Sequence, residues 1–246
     1  MSRKFDAGDR VLLIDHKKRR YLVTLKAGGE FHSHAGFVPH DSIIGVPEGS
    51  TIQSTRNSPY LAVRPTLSDF VLKMPRGAQV IYPKDLGPIL MLADIFPGAR
   101  VLESGVGSGA LSMAMLRAGA DIVGYEMRED FAGRAQENVG SFLGDEALAR
   151  YRVEIRDCYA GLTVMVVEHA ERALHPGGIL LAYTPSIVQV MQLRDALAAS
   201  AFDMPETVEV LNRTWHVEGQ AVRPDHRMVA HTGFLLTGLL GLQARG

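Results

Sequence analysis

Residues Val101–Glu126 read VLESGVGSGALSMAMLRAGADIVGYE, and the fold turns on this stretch. It leaves the short apolar run RVLES (100–104), passes Gly105, Gly107 and Gly109, enters a helical pattern, and closes on DIVGYE (121–126). A β-rich run, a glycine turn, a helix and a second β-rich run ending in an acid form one strand–helix–strand unit.

The same rhythm continues downstream. EDFAGRAQENVGSFL (129–143) reads as a helix, YRVEIRD (151–157) as a strand, VVEHAERAL (166–174) as a helix and GGILLAYT (177–184) as a strand. SIVQVMQLRDALAAS (186–200) is an amphipathic helix with Ile187, Val190, Met191 and Leu197 on one face, and ETVEVL (206–211) with RMVAHTGFLLTGLL (227–240) forms a terminal antiparallel pair. Repeated strand–helix units specify an α/β class, a doubly wound, mostly parallel sheet with ligands at the C-terminal ends of its strands.

Upstream of Arg100 the pattern is different. RVLLID (10–15) and YLVTL (21–25), joined by HKKRR, read as a hairpin; FVPH, SIIGV and YLAVR are further short apolar runs between turn residues. This is a small N-terminal β domain, barrel- or sandwich-like, over residues 1–66, with the α/β domain over 67–246. Asp85 is placed as the N-cap of a helix LGPILMLADIF (86–96), with Pro88 in its first turn.

Charge and cysteine content narrow the function classes. The net charge of −1 argues against a uniformly basic nucleic-acid binder, but the halves differ. The first hundred residues hold 14 Lys+Arg against 9 Asp+Glu, the rest 12 against 18, and every lysine lies in the first hundred. The polar N-terminus has no signal-peptide core and GFLLTGLLGL is too short to span a bilayer, which makes a cytoplasmic protein without membrane attachment the expectation. Cys158 is the single cysteine and reads as a packed thiol, so neither a disulfide nor a metal is expected.

In the turn, Gly105, Gly107 and Gly109 let the backbone bend and approach a ligand, and Ser108 to Leu111 offer N–H groups at a helix start. Glu126 can accept both hydroxyls of a ribose. GVGSGA satisfies the dinucleotide pattern G-x-G-x-x-G/A, and it equally satisfies the E/D-x-G-x-G-x-G turn that holds S-adenosylmethionine. Glu103, two residues before the first glycine, favours the second: a carboxylate repels a pyrophosphate and attracts an ammonium or sulfonium centre. Asp157, at the end of the third strand, is placed to accept from an adenine amine.

Four stretches then carry a resemblance: RPTLSDFVLKMPRGAQVIYPKD, the glycine turn with GYEMREDF, LHPGGILLAYTPSIVQV, and VEGQAVRPDHRMVAHTGFL. Together they resemble the bacterial and archaeal tRNA (adenine-58-N1)-methyltransferases over nearly the whole chain. The resemblance implies a homotetramer with a Rossmann-like, class I methyltransferase domain that moves a methyl group from S-adenosylmethionine to N1 of a T-loop adenine in tRNA. It implies that Ser108, Gly109, Ala110, Leu111, Glu126 and Asp157 hold the cofactor, that Phe131 lies near its adenine, and that Tyr82 and Tyr183 line the pocket for the target base. Lys17, Lys18, Arg19 and Arg20 read as phosphate contacts or a solvated turn, and Arg223, Arg227 and His231 as RNA or subunit-interface residues.

One segment departs from the family. After its fourth strand the family carries a D-x-P-x-P-W-like segment whose Asp contacts the target adenine, whereas RDCYAGLTVMVVEHAERAL has none. Either roughly a dozen or two residues, a strand with its turns, are absent around Leu162–Val166, or LTVMVV is a shortened strand in a damaged enzyme. The catalytic carboxylate is therefore unassigned. Three classes stay open: a tRNA adenine-N1 methyltransferase, an NAD(P)-dependent oxidoreductase, and a non-catalytic tRNA-binding subunit.

Overall fold

The computed structural model describes residues 3–77, 79–157 and 163–242, with only the backbone of Thr163 and Val164. Cys158 and Leu162 lie outside the described residues. The chain divides into two compact units, Met1–Met74 and Pro75–Gly246.

The first unit contains β1 (Arg10–Asp15), β2 (Arg20–Thr24), β3 (Glu30–Ser33), β4 (Gly36–Pro39), β5 (Thr51–Gln53), β6 (Pro59–Val63) and α1 (Leu67–Lys73). A four-stranded sheet has the order β2-β1-β6-β5, and β3 pairs with β4. Asp15 closes the first hairpin by accepting from the Lys17 and Arg19 backbone N–H groups and from the Arg19 side chain. Phe5, Val11, Leu13, Leu25, Val38, Ile43 and Tyr60 form the core. SIIGV forms no strand: a short 3₁₀ turn at His40–Ser42 runs into it and delivers Ile43 into the core from a loop. Thr66 and Asp69 form a reciprocal capping box at the start of α1.

The second unit opens with α2 (Pro83–Leu92), which starts earlier than the sequence indicated. Tyr82 is its N-cap, Pro83 occupies N1 and Asp85 is already inside the helix, so Pro88 sits past the first turn. There follow β7 (Arg100–Ser104), α3 (Ala110–Arg117), β8 (Asp121–Glu126), α4 (Glu129–Leu143), α5 (Asp145–Leu148) and β9 (Tyr151–Ile155). These three strands pair in parallel, in the order β7-β8-β9. Then come α6 (Thr163–Ala173), β10 (Ile179–Thr184), α7 (Ile187–Ala198), β11 (Phe202–Glu209), β12 (Trp215–Glu218), β13 (Ala221–Pro224) and β14 (Phe234–Leu240). β14 lies antiparallel between β10 and β11, and among the described residues β12 pairs only with β13. The class is the α/β, doubly wound type.

Two corrections follow from packing. The buried face of α7 is Val190, Leu193, Ala196 and Leu197, while Ile187 and Met191 are exposed. Residues 163–167 are helical, the start of α6, with Val167 in the core against α7 and β14. LTVMVV is therefore not a shortened strand.

The sheet is divided where a fourth strand belongs. Among the described residues, β7 and β10 each end their own three-stranded sheet, with no ladder on their outer edges. In a doubly wound sheet the first strand is central and covered on both faces. Here Leu102 of β7 is 47% exposed.

Candidate cofactor and target-base site

The glycine turn is built as the spacing required. Gly105, Gly107 and Gly109 have φ of +80°, +55° and +82°. At Gly109 a Cβ would stand 3.3 Å from the backbone of Ala135, so the turn also packs closely on α4. The Gly105 and Val106 N–H groups both point to the Tyr125 carbonyl, which ties the turn to the end of β8. Asn138 of α4, 3% exposed, donates to the Ser108 and Pro75 carbonyls and braces the turn from behind. Asn138 is a supporting residue that the sequence pattern hides, because inside a helix it resembles any polar position.

Glu126 lies at the strand end. Its Oε2 accepts from Gly107 N–H at 3.0 Å and its Oε1 from Arg128 N–H at 3.1 Å, which fixes the carboxylate while leaving each oxygen a lone pair. Ala110, Leu111 and Ser112 present helix-start N–H groups, the first intrahelical bond being that of Met113 to Gly109. Ser108 Oγ is buried and has no partner among the described residues. An orphaned hydroxyl in a cradle of free N–H groups beside a fixed carboxylate fits the ribose and amino-acid portions of adenosylmethionine. Phe131 is nearly buried under the Arg128 guanidinium, 3.7 Å from the ring centroid, with Gly77 close against the ring edge. Asp157 is exposed after β9.

Glu103 differs from its expected state. It is buried, and its Oε2 accepts from Ser112 Oγ at 2.6 Å; that hydroxyl also meets Tyr151 Oη at 3.0 Å. Burial, opposed by the Ser112 bond and reinforced by the Glu126 charge, pushes its carboxyl up to about 8. Burial therefore favours the uncharged acid over the carboxylate expected for Glu103 in the ligand-free protein.

A second cluster gathers around Tyr82 and Tyr183. Tyr183 donates to the Thr232 carbonyl at 2.7 Å and its ring lies against Gly233, where a Cβ would come within 2.5 Å. Its hydroxyl is held above the ordinary phenol range by burial, with Asp85 and Tyr82 close enough to add to the shift against the Thr232 bond. Lys84 and Asp85, with side chains 3% and 0% exposed, form a 2.7 Å ion pair. Lys84 Nζ also donates to the Val210 carbonyl at 2.6 Å, and Asp85 Oδ2 accepts from Thr232 Oγ1 at 2.7 Å. His231 donates from Nδ1 to Glu209 at 2.8 Å and from Nε2 to the Pro185 carbonyl at 3.0 Å. These bonds join the two stretches, VIYPKD and VAHTGF, that carry the most specific part of the resemblance.

The remaining basic candidates separate. Arg19 is held by Asp15 and His34, and Arg20 by Asp69 at 2.5 Å, whereas Lys17 and Lys18 are exposed. Arg223 lies exposed on β13 opposite His216, and Arg227 is exposed in the loop before β14. Among the described residues no cluster of His, Cys, Asp and Glu can hold a metal, and no helix is long and apolar enough to cross a membrane.

Comparison with known proteins places the chain in a family. Residues 4–52 match the TrmI-like N-terminal family and residues 60–164 the tRNA methyltransferase complex GCD14 subunit family. A tRNA (adenine(58)-N(1))-methyltransferase TrmI of Thermus thermophilus is 35% identical over 92% of this chain and 94% of its own. The chain belongs to the TrmI family. A Methanocaldococcus jannaschii TrmI named for adenines 57 and 58 is 28% identical over 91% of this chain and 92% of its own. The crystal structure of Aquifex aeolicus TrmI superposes with a TM-score of 0.84, at 26% identity over 97% of this chain and 99% of that one. A Thermotoga maritima structure described as a SAM-dependent O-methyltransferase gives 0.92, at 27% identity over 99% and 97%.

The Thermus alignment runs over 241 positions, yet 92% of 246 residues is about 226, so about 15 of its positions have no counterpart in this chain. The GCD14 match ends at residue 164.

Proposed function

We propose that this TrmI-family protein transfers a methyl group from S-adenosylmethionine to N1 of adenine-58 in the T-loop of tRNA. The observation that carries the reading is the pairing, in one unit, of a ligand-shaped glycine turn with the Tyr82–Tyr183 cluster built from the family's most specific stretches. Adenosylmethionine, when bound, supplies an electrophilic methyl on sulfur. Ser108 to Leu111 would hold it through backbone N–H groups and the Ser108 hydroxyl, Glu126 through the ribose hydroxyls, with Gly105 and Gly107 shaping the turn. Phe131 and Asp157 would take the adenine, and Glu103 would meet the cationic end, losing its proton as a positive charge arrives.

Adenine N1 already bears a lone pair, so the protein must chiefly align it about 3 Å from the methyl carbon and exclude water. A base in a folded T-loop must be extruded and stacked, and Tyr82 and Tyr183 are the aromatic walls available. Methylation leaves a cationic base that a carboxylate would stabilise. In the family that group belongs to the segment lacking here.

The relatives are methyltransferases, which sets aside the nicotinamide reading. The divided sheet favours one second reading, a tRNA-binding subunit that does not methylate. Transfer of labelled methyl to an unmodified tRNA transcript, beside a transcript with guanine at position 58, decides between them. Label on the first alone supports the transferase; tRNA binding without label supports the subunit.

A homotetramer in the cytoplasm belongs to the same reading. It is supported by the β12–β13 hairpin, which among the described residues pairs only with itself and exposes Trp215, Val217 and Val222 by 59%, 70% and 59%. Several subunits would also spread modest basic patches over one tRNA. Sedimentation of the intact protein tests the assembly.

A further inference from the structure

In the first unit, Arg20, Tyr21, Leu22, Phe31 and Lys73 line an open cleft of about 340 Å³. We propose that this cleft is a binding subsite for an unpaired nucleotide of the tRNA, an inference that rests on the tRNA reading above.

The floor is aromatic and fixed. The Tyr21 and Phe31 rings have centroids 5.1 Å apart and tilt by 49°. Both rest edge-on against the fully buried Tyr60, at 6.4 and 5.9 Å. Tyr60 is itself anchored by a 2.8 Å hydrogen bond to Ser33. The two outer rings remain half-buried, so a base could stack without any prior ordering of the floor.

The rim is cationic. Lys73, in the last turn of α1, is exposed and makes no ion pair among the described residues. Arg20 gives Nη1 to Asp69 and is 56% exposed, which leaves donors of its guanidinium for a phosphate. Aromatic faces flanked by cations match the alternation of base and phosphate in a single strand. The surplus of basic over acidic residues in the first hundred positions provides a favourable long-range field. An acidic peptide would satisfy the cations and leave the rings unused.

The test uses the full chain and anisotropy titrations with two probes, an unmodified tRNA transcript and a seven-nucleotide uridine RNA, over a range of salt. Phe31→Leu keeps apolar bulk and removes the ring; it should weaken both RNAs about five-fold or more without changing the salt slope. Lys73→Gln, at an exposed position that threatens no packing, should weaken both and lower the slope of log affinity against log salt by about 0.7. Adenosylhomocysteine affinity should be the same in all three proteins. Polyglutamate that displaces the uridine RNA from wild type and Phe31→Leu equally would overturn the stacking role. Wild-type binding of tRNA with both variants unchanged would overturn the cleft alone. Wild type that binds adenosylhomocysteine and no tRNA would overturn both the cleft and the proposed function. If Phe31→Leu fails to fold, Tyr21→Leu tests the stacking floor in its place, and Lys73→Glu tests the cationic rim through its larger loss of affinity.

Discussion

The two ends of the second unit are held in place by different means. At the glycine turn, the hydrogen bonds accepted by Glu126 and those made by Asn138 and Ser112 join residues 2 to 63 positions apart, and most of the geometry is set by the backbone of the turn itself. At the tyrosine cluster, the bonds of Lys84, Asp85, Tyr183 and His231 with Val210, Thr232, Glu209 and Pro185 cross 22 to 147 positions. One end is specified by a local pattern of small residues. The other is assembled from distant segments, around charged groups that must be buried together.

The sharpest way to break that comparison is at Asp85. Removing its carboxylate leaves the Lys84 ammonium buried with only the Val210 carbonyl, so Asp85→Ala should cost about 3–5 kcal/mol in urea unfolding. A Lys84→Met/Asp85→Leu pair should recover much of that loss, since no uncompensated charge remains. An Asp85→Ala cost no greater than that of a surface substitution would mean that the cluster is not held by its ion pair.

Glu103 tests the other end through pH. Its folded-state carboxyl is raised to about 8 from an ordinary value near 4.5, so its contribution to stability is complete below about 4.5 and is lost as pH rises through about 8. Unfolding free energy of the ligand-free protein should fall across that window, by at most about 1.4 kcal/mol per pH unit. Glu103→Gln should flatten the fall. Calorimetry at pH 7 in buffers of different ionisation enthalpy should also show a proton released when adenosylmethionine binds, and none released by the Gln variant.

A smaller effect separates two glycines of the same turn. Both have positive φ, which costs an alanine about 1–2 kcal/mol, but at Gly109 the new Cβ also meets Ala135 at 3.3 Å while at Gly107 it meets open space. Gly109→Ala should therefore lose more stability than Gly107→Ala, and more adenosylhomocysteine affinity. Equal losses would mean that α4 yields and that only the backbone conformation matters.

The contrast between local and distant assembly explains which parts of the molecule are legible in its sequence. Helix α4 is legible over its full extent, 129–143, and so are β7 and β8, because their periodicity, glycine turn and terminal acid are local signals. The start of α2 is hidden because Asp85 has the chemistry of an N-cap and is instead drawn into a buried ion pair. Ile187 and Met191 read as part of a buried face because helical spacing shows which residues share a face, not which side of it meets the core. Lys84, Glu209 and Thr232 are invisible as site-builders, since a charged residue is ordinarily a solvated one and their partners lie in distant segments. The division of the sheet is legible only through the resemblance: without the family's segment for contrast, RDCYAGLTVMVVEHAERAL reads as a plain strand-to-helix connection.

The smallest expected effect sits at His231, and it asks whether the tyrosine cluster is fixed or adjustable. Both ring nitrogens face acceptors, the Glu209 carboxylate and the Pro185 carbonyl, so only the imidazolium can donate to both. The Glu209 bond first, then the Pro185 bond, hold its pKa above the ordinary 6.5, against partial desolvation and the repulsion of Lys84. The ring also lies 4.9 Å from Phe234. For a group raised in this way, the contribution is complete below about 6.5 and fades as pH rises through the folded value, the opposite edge of the scale from an ordinary acid. Because the imidazole is half exposed, solvent screens most of its effect on global stability. The place to look is local: protection factors of the amides in residues 226–233, exchange rates taken relative to the intrinsic base-catalysed rate at each pH, should fall at alkaline pH in wild type and be low at every pH in His231→Ala. Uniform protection in both would show that Asp85, Thr232 and Tyr183 alone keep this segment in place, and that the cluster is as rigid as the glycine turn despite being built from distant parts.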